Sequence, residues 1–222
     1  MTTAIETPRR AAIGATTGGG RPAWQRALIH GAILAGLLVG AYIFLIIAPD
    51  HRSMGVDALA YWMVEVPGTY DIPHRVAGSF PYAPPIAMLM DPFGQLPFWQ
   101  FLWLWTALLV GSLIWIGRSV SWILVALAIP FVAVELYLGN IHILLAVAIL
   151  LGRNYPWTWA FVLLTKTTCG VGLLWFVVRR EWRELGIALG ATAAVVAVTF
   201  VLQPTLWFEW FDYLIAAQGI DN

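Results

Sequence analysis

The chain contains a single lysine, Lys166, inside an otherwise apolar run from Trp157 to Val178 and beside the hydroxyls of Thr165, Thr167 and Thr168. An ionisable group at membrane depth is costly, so it normally faces a bundle interior and marks function. A cation among hydroxyls, followed by the loosened backbone of Gly170 and Gly172, suits the phosphate of a lipid carrier whose head lies at the interface. A lysine snorkelling to water from a short helix is the competing reading. The second candidate is Asp57, in Val56-Asp57-Ala58-Leu59-Ala60-Tyr61-Trp62. A carboxylate among apolar neighbours loses solvation, which raises its pKa toward that of a useful general base. Aspartate in this setting also commonly starts a short helix.

Weaker candidates surround these two. Asn140 and His142, in Gly139-Asn140-Ile141-His142, can hydrogen-bond a sugar or phosphate, or can be a turn asparagine and a packed histidine. Arg75, with Asp71 and His74, can form an anion-binding patch or a solvated loop cluster. Tyr82 stands out within the rigid Phe80-Pro81-Tyr82-Ala83-Pro84-Pro85 element. Glu135 can be neutral and bonded to a neighbour, or can pair with Lys166 or Arg75.

The elements that must position these groups are membrane helices. Hydrophobic residues make up 60% of the chain, charged residues 11%, and the mean hydropathy is +0.79, far from soluble composition. The net charge is zero, so no bulk field points to nucleic acid. Cys169 is alone and implies neither a disulfide nor a cysteine metal cluster. Residues 1–26, with Arg9, Arg10, Arg21 and Arg26 around Gly18-Gly19-Gly20, predict a disordered cytoplasmic tail, and residues 27–222 a single transmembrane module.

Ala27 to Ala48 matches the length needed for about 30 Å of hydrocarbon at about 1.5 Å per residue. Residues 49–97, with eight prolines, predict a large non-cytoplasmic loop carrying short surface helices. Further spans are expected at 98–117, at 122–138 with a kink at Pro130, at 141–152 and at 186–202, with 203–222 an amphipathic interfacial segment. Placing Arg118, Arg153 and the Arg179-Arg180-Arg183 cluster with the N-terminus in the cytoplasm requires 155–178 to start and finish inside, with Lys166 at its outer turn. The expected fold is an all-α polytopic bundle of about seven passes, with the C-terminus periplasmic.

In this order and spacing, Asp57 and Tyr61, Gly68-Thr69-Tyr70-Asp71, the Phe80 to Pro85 element, Asp91-Pro92 with Leu96-Pro97, Gly139-Asn140, and Lys166 before Arg179-Arg180-Glu181-Trp182 resemble the C-type membrane glycosyltransferases. The resemblance is to bacterial family 87, the polyprenyl-phosphate-mannose-dependent mannosyltransferases, over most of residues 30–215. It implies a bacterial inner-membrane enzyme that moves a sugar from a polyprenyl-phosphate donor on the periplasmic side, with no cofactor or metal and no nucleotide sugar. By the same resemblance Asp57 is the catalytic base. Lys166 then stabilises the leaving phosphate, with Arg75 and His142 as weaker candidates for that role, while Asn140 and Tyr82 are candidate substrate contacts on the residue reading above. Family members commonly carry Gly-Gln and Lys-Pro where this chain has Gly139-Asn140 and Lys166-Thr167. They are also longer, so the resemblance implies the N-terminal seven-pass module. The alternative reading is a non-catalytic membrane subunit of a larger complex, bound through lipid-facing aromatics such as those among its 13 tryptophans.

Overall fold

A computed structural model describes residues 22–47, 54–118 and 120–219. Of the expected 1–26 tail, residues 1–21, with Arg9, Arg10 and Arg21, lie outside the described residues, as do Asp50 and Arg52, whereas residues 23–26 are already the start of the first helix. The described residues are helical without strands. In chain order the helices are α1 (Ala23–Tyr42, continuing into a wider turn at Ile43–Ile47), α2 (Val56–Trp62), α3 (Pro84–Met90), α4 (Phe98–Gly117) and α5 (Trp122–Leu138). They continue with α6 (His142–Leu151), α7 (Trp159–Thr165), α8 (Leu174–Arg179), α9 (Trp182–Leu202) and α10 (Pro204–Gln218). Tighter 3-10 turns occupy Asp91–Gln95, Pro156–Thr158 and Thr167–Leu173.

Three helices, α1, α4 and α9, are long and apolar enough to cross a membrane. The Ala128–Leu138 part of α5 and α6 form a further pair bent by 119°, a broken span or a re-entrant element. By length and composition these make three spans among the described residues, or four if the bent pair is one span. The 157–178 run is divided into short pieces, as its threonine and glycine interruptions predict. Pro130 lies inside α5, which continues through it. Large apolar side chains such as Trp103, Phe131, Val178 and Val201 are at least 74% exposed, an arrangement that only lipid makes favourable.

The large loop departs from a purely superficial layer. Tyr61 of α2, Ile86 and Ala87 of α3, and Phe80 between them are buried in the same core as Trp105 of α4, Ile141, and Trp159 and Val162 of α7. The reason is the apolar face each short helix carries, which packing against α4 and α7 removes from water. Prolines 84 and 85 start α3 where the missing N–H groups cost nothing. The 203–222 segment folds as α10 and docks onto the loop: the Trp210 indole donates to the Pro81 carbonyl at 3.1 Å, and the Tyr213 hydroxyl lies 3.2 Å from His74 Nδ1.

The turn between α5 and α6 organises this end of the molecule. Gly139 adopts left-handed backbone (φ 72°), and its N–H and that of Asn140 return to the carbonyls of Leu136 and Glu135 at 3.3 and 2.9 Å, closing the helix with a paired-bond cap. The Trp105 indole donates to the Gly139 carbonyl at 2.7 Å, and Gly55 N–H donates to the Tyr137 carbonyl at 2.9 Å, fastening α2 to the same turn. A Cβ on Gly139 would lie 2.7 Å from the Ala58 Cβ. Gly139→Ala therefore combines left-handed strain with overpacking against α2, and is expected to lower stability by about 2–4 kcal/mol. Thermal unfolding of the detergent-solubilised variant measures this; an unchanged midpoint would mean that α2 can slide away from the turn.

Candidate active site

Asp57 is in the first turn of α2, and Ala58 beside it is fully buried against the Gly139 turn. That contact sets Asp57 next to Asn140, whose Nδ2 donates to Asp57 Oδ2 at 2.7 Å. Asn140 Oδ1 in turn accepts the His142 backbone N–H at 3.2 Å, so the amide is oriented from both sides. The other Asp57 oxygen has no partner among the described residues. Burial pushes the Asp57 carboxyl above its ordinary range; the Asn140 bond opposes that, the Glu135 charge adds to it and His142 opposes it.

Lys166 closes α7 with extended backbone (φ −144°, ψ 91°), the break that separates α7 from the following 3-10 turn. Its Nζ lies 2.8 Å from His142 Nε2. An ammonium has only donors, so Nε2 must be the acceptor and the imidazole proton must sit on Nδ1. Nδ1 then donates to the Glu135 carboxylate, whose oxygens are at 3.1 and 3.3 Å. One of the three ammonium protons is used in this way and two remain for a ligand. Asp57, Asn140, His142 and Lys166 thus form one hydrogen-bonded chain across α2, the α5–α6 turn and the end of α7, with Glu135 as its side branch.

Tyr82 borders the chain. Its hydroxyl is 3.1 Å from that of Tyr61, which accepts the Ile141 N–H at 3.2 Å. Tyr70 donates to the Tyr82 carbonyl at 2.8 Å, and Ala83 N–H donates to the Leu164 carbonyl at 3.1 Å, fixing the loop two residues from Lys166. Burial raises the pKa of both Tyr61 and Tyr82, so each stays protonated. Among the hydroxyls beside Lys166, Thr165 is buried without a partner among the described residues, Thr167 turns back to the Leu163 carbonyl at 3.4 Å, and Thr168 is exposed.

Arg75 is exposed on left-handed backbone (φ 66°) in the loop and does not line the cleft that holds its neighbours. Asp71 and His74 instead line a cleft of about 450 Å³ with Tyr70, Glu209, Asp212 and Tyr213. Three carboxylates there repel anions, which counts against an anion-binding role for Asp71 and His74. Two site residues have weaker sequence signals. Tyr61 lies four residues after Asp57 and so on the same helix face, whereas Glu135 reaches His142 only because the turn folds back.

Beside the chain runs an apolar groove of about 270 Å³ lined by Phe93, Phe101, Leu104, Trp105, Ile141 and Leu144, among others. Ile141 separates Asn140 from His142, so groove and polar cluster share a wall. An all-helical, lipid-exposed protein with a carboxylate, an ammonium and an apolar groove side by side has the parts of a membrane enzyme that acts on an amphiphile. A family model for glycosyltransferase family 87 matches residues 80–221, and the chain belongs to that family of glycosyltransferases. The matched stretch contains Tyr82, Asn140, His142 and Lys166, while Asp57, Tyr61 and Arg75 precede it. No curated protein and no solved structure matches the chain.

Proposed function

We propose that the chain transfers a sugar, most directly mannose, from a polyprenyl phosphate to an acceptor hydroxyl at the periplasmic face of a bacterial inner membrane. In this reading the chain makes seven passes with a cytoplasmic N-terminus. The observation that carries the reading is the continuous Asp57–Asn140–His142–Lys166 chain beside an apolar groove. The prenyl tail occupies the groove, and its phosphate lies at Lys166, where the two remaining ammonium protons and the Tyr82 hydroxyl meet it. The unpartnered oxygen of Asp57 takes the proton from the acceptor hydroxyl as that oxygen attacks the anomeric carbon. The bond from that carbon to the phosphate oxygen breaks, its electron pair leaves with the polyprenyl phosphate, and configuration inverts. Lys166 neutralises the charge that builds on the leaving oxygen. Glu135 accepts from His142 Nδ1–H, which leaves Nε2 facing Lys166 as an acceptor and so positions the ammonium.

The test uses the purified full chain in lipid nanodiscs with a radiolabelled polyprenyl-phosphate mannose and a panel of acceptor glycans. Polyprenyl phosphate is expected to appear in step with labelled glycoside, and labelled nucleotide sugar to yield none. No turnover with any acceptor, together with stoichiometric co-purification of another membrane protein, would select the non-catalytic subunit instead. The pH dependence supplies a second check. Because burial raises the Asp57 pKa, kcat/KM should fall on acidification at a pH above the usual carboxylate range, as the base becomes protonated. An acid limb inside the usual range would remove Asp57 from the role of base.

A further inference from the structure

The end of the bundle remote from Asp57 holds a second cavity, of about 640 Å³. Helix α6 starts at His142 in the polar chain and ends at Leu151, ten residues or about 15 Å away, where Gly152 and Arg153 enter the cavity wall. Trp159 lines it from the start of α7, and Gly172, Trp175, Phe176 and Arg179 line it from the returning segment. The two arms that meet at Lys166 therefore both return to this cavity.

Its chemistry is that of an anionic amphiphile site. The walls are apolar, with Trp159 and Phe176 buried, and the two guanidiniums of Arg153 and Arg179 are exposed. The Arg179 Nε–H donates to the Glu181 carboxylate, and its guanidinium stacks 5.2 Å from the Trp175 ring, which leaves its terminal nitrogens oriented and available. Arg153 has no carboxylate partner among the described residues. Trp159 is 5% exposed, and its indole N–H has no acceptor among the described residues and is closed off from the cavity space. That nitrogen lies against Gly152, where an added Cβ would be only 2.5 Å away.

We propose that this cavity binds one anionic glycerophospholipid, separate from the donor lipid of the transfer reaction. Its phosphate bridges Arg153 and Arg179, and its chains run along the apolar wall. Guanidinium forks suit phosphate oxygens, and basic pockets between membrane helices are a recurring lipid-headgroup site. A bridging lipid ties together the two arms whose turn presents Lys166, which gives it a structural role in holding that turn.

The full chain, delipidated into phosphatidylcholine nanodiscs, is titrated with phosphatidylglycerol, with further phosphatidylcholine and with inorganic phosphate, following native mass and thermal midpoint. One phosphatidylglycerol is expected to bind and raise the midpoint, with no effect from the other two. Arg153→Gln and Arg179→Gln should each weaken binding about 10-fold, the loss of one charge-assisted hydrogen bond, while Arg118→Gln leaves it unchanged. Arg153→Gln decides the matter if Arg179→Gln fails to fold, because the Arg153 side chain is exposed and has no ion pair among the described residues. An equal shift from inorganic phosphate, equal retention of phosphatidylcholine, or parental binding by Arg153→Gln overturns the proposal. None of these outcomes depends on sugar transfer.

Discussion

Asp57→Asn is expected to reduce product formation by about 10²- to 10⁴-fold, the range over which a general base contributes, while the protein stays at least as stable as its parent. The two effects have one cause. The Asp57 carboxyl is raised by burial, so the folded state holds the proton more tightly than the unfolded chain does. Ionising it therefore opposes folding: its contribution is lost progressively as pH rises from the ordinary carboxylate range through the raised folded value. Asparagine removes the desolvated charge and keeps an oxygen for the Asn140 amide to donate to. At neutral pH the thermal midpoint should be equal or higher, and the difference should vanish on acidification. Parental turnover in a well-folded Asp57→Asn protein would take Asp57 out of the mechanism.

Lys166→Met is expected to lower kcat by about 10²- to 10³-fold, comparable to the loss of one preorganised donor at a developing oxyanion. Methionine preserves the length and apolar stem, so packing at the end of α7 should survive. Product inhibition separates a phosphate ligand from a lysine that merely reaches water. Added polyprenyl phosphate should inhibit the parent and inhibit the variant at least about 10-fold less effectively. Lys166→Arg, which keeps charge but changes donor geometry against His142 Nε2, should recover only part of the rate. Equal product inhibition in parent and Lys166→Met would mean that the ammonium does not meet the phosphate.

Much of the candidate site was legible because its residues are chemically out of place. A sole lysine in an apolar run, a carboxylate among alanine, leucine and aromatics, and a Gly-Asn turn are visible without coordinates. The break at Lys166 was legible for the same reason, since a threonine run followed by two glycines weakens a helix. The pairing was less so. Glu135 was open to Lys166 or Arg75, and the structure gives it His142, because the paired-bond cap turns the chain back by one residue pair. Apolar length alone does not distinguish a straight span from a folded one, so the return of the 157–178 run was legible from the arginine placement and not from hydropathy, and the cavity its two arms share came only with the structure.

The linear chain by itself determined the solvent, because its apolar content and thinly spread charges require lipid, whereas only the structure showed that Pro84 and Pro85 start a helix where a rigid, partly extended segment was expected. Tertiary structure decided which groups share protons. Asp57 and Asn140 are separated by 83 positions and His142 and Lys166 by 24, and no local rule specifies a 2.7 or 2.8 Å bond across such gaps. Those bonds exist because Gly139 lets α2 approach within side-chain contact of the α5–α6 turn, and because Ala83 and Leu164 tie the loop to the end of α7. Propensity and burial act residue by residue, whereas a hydrogen-bonded site needs several elements packed to within tenths of an ångström, which only the folded core provides.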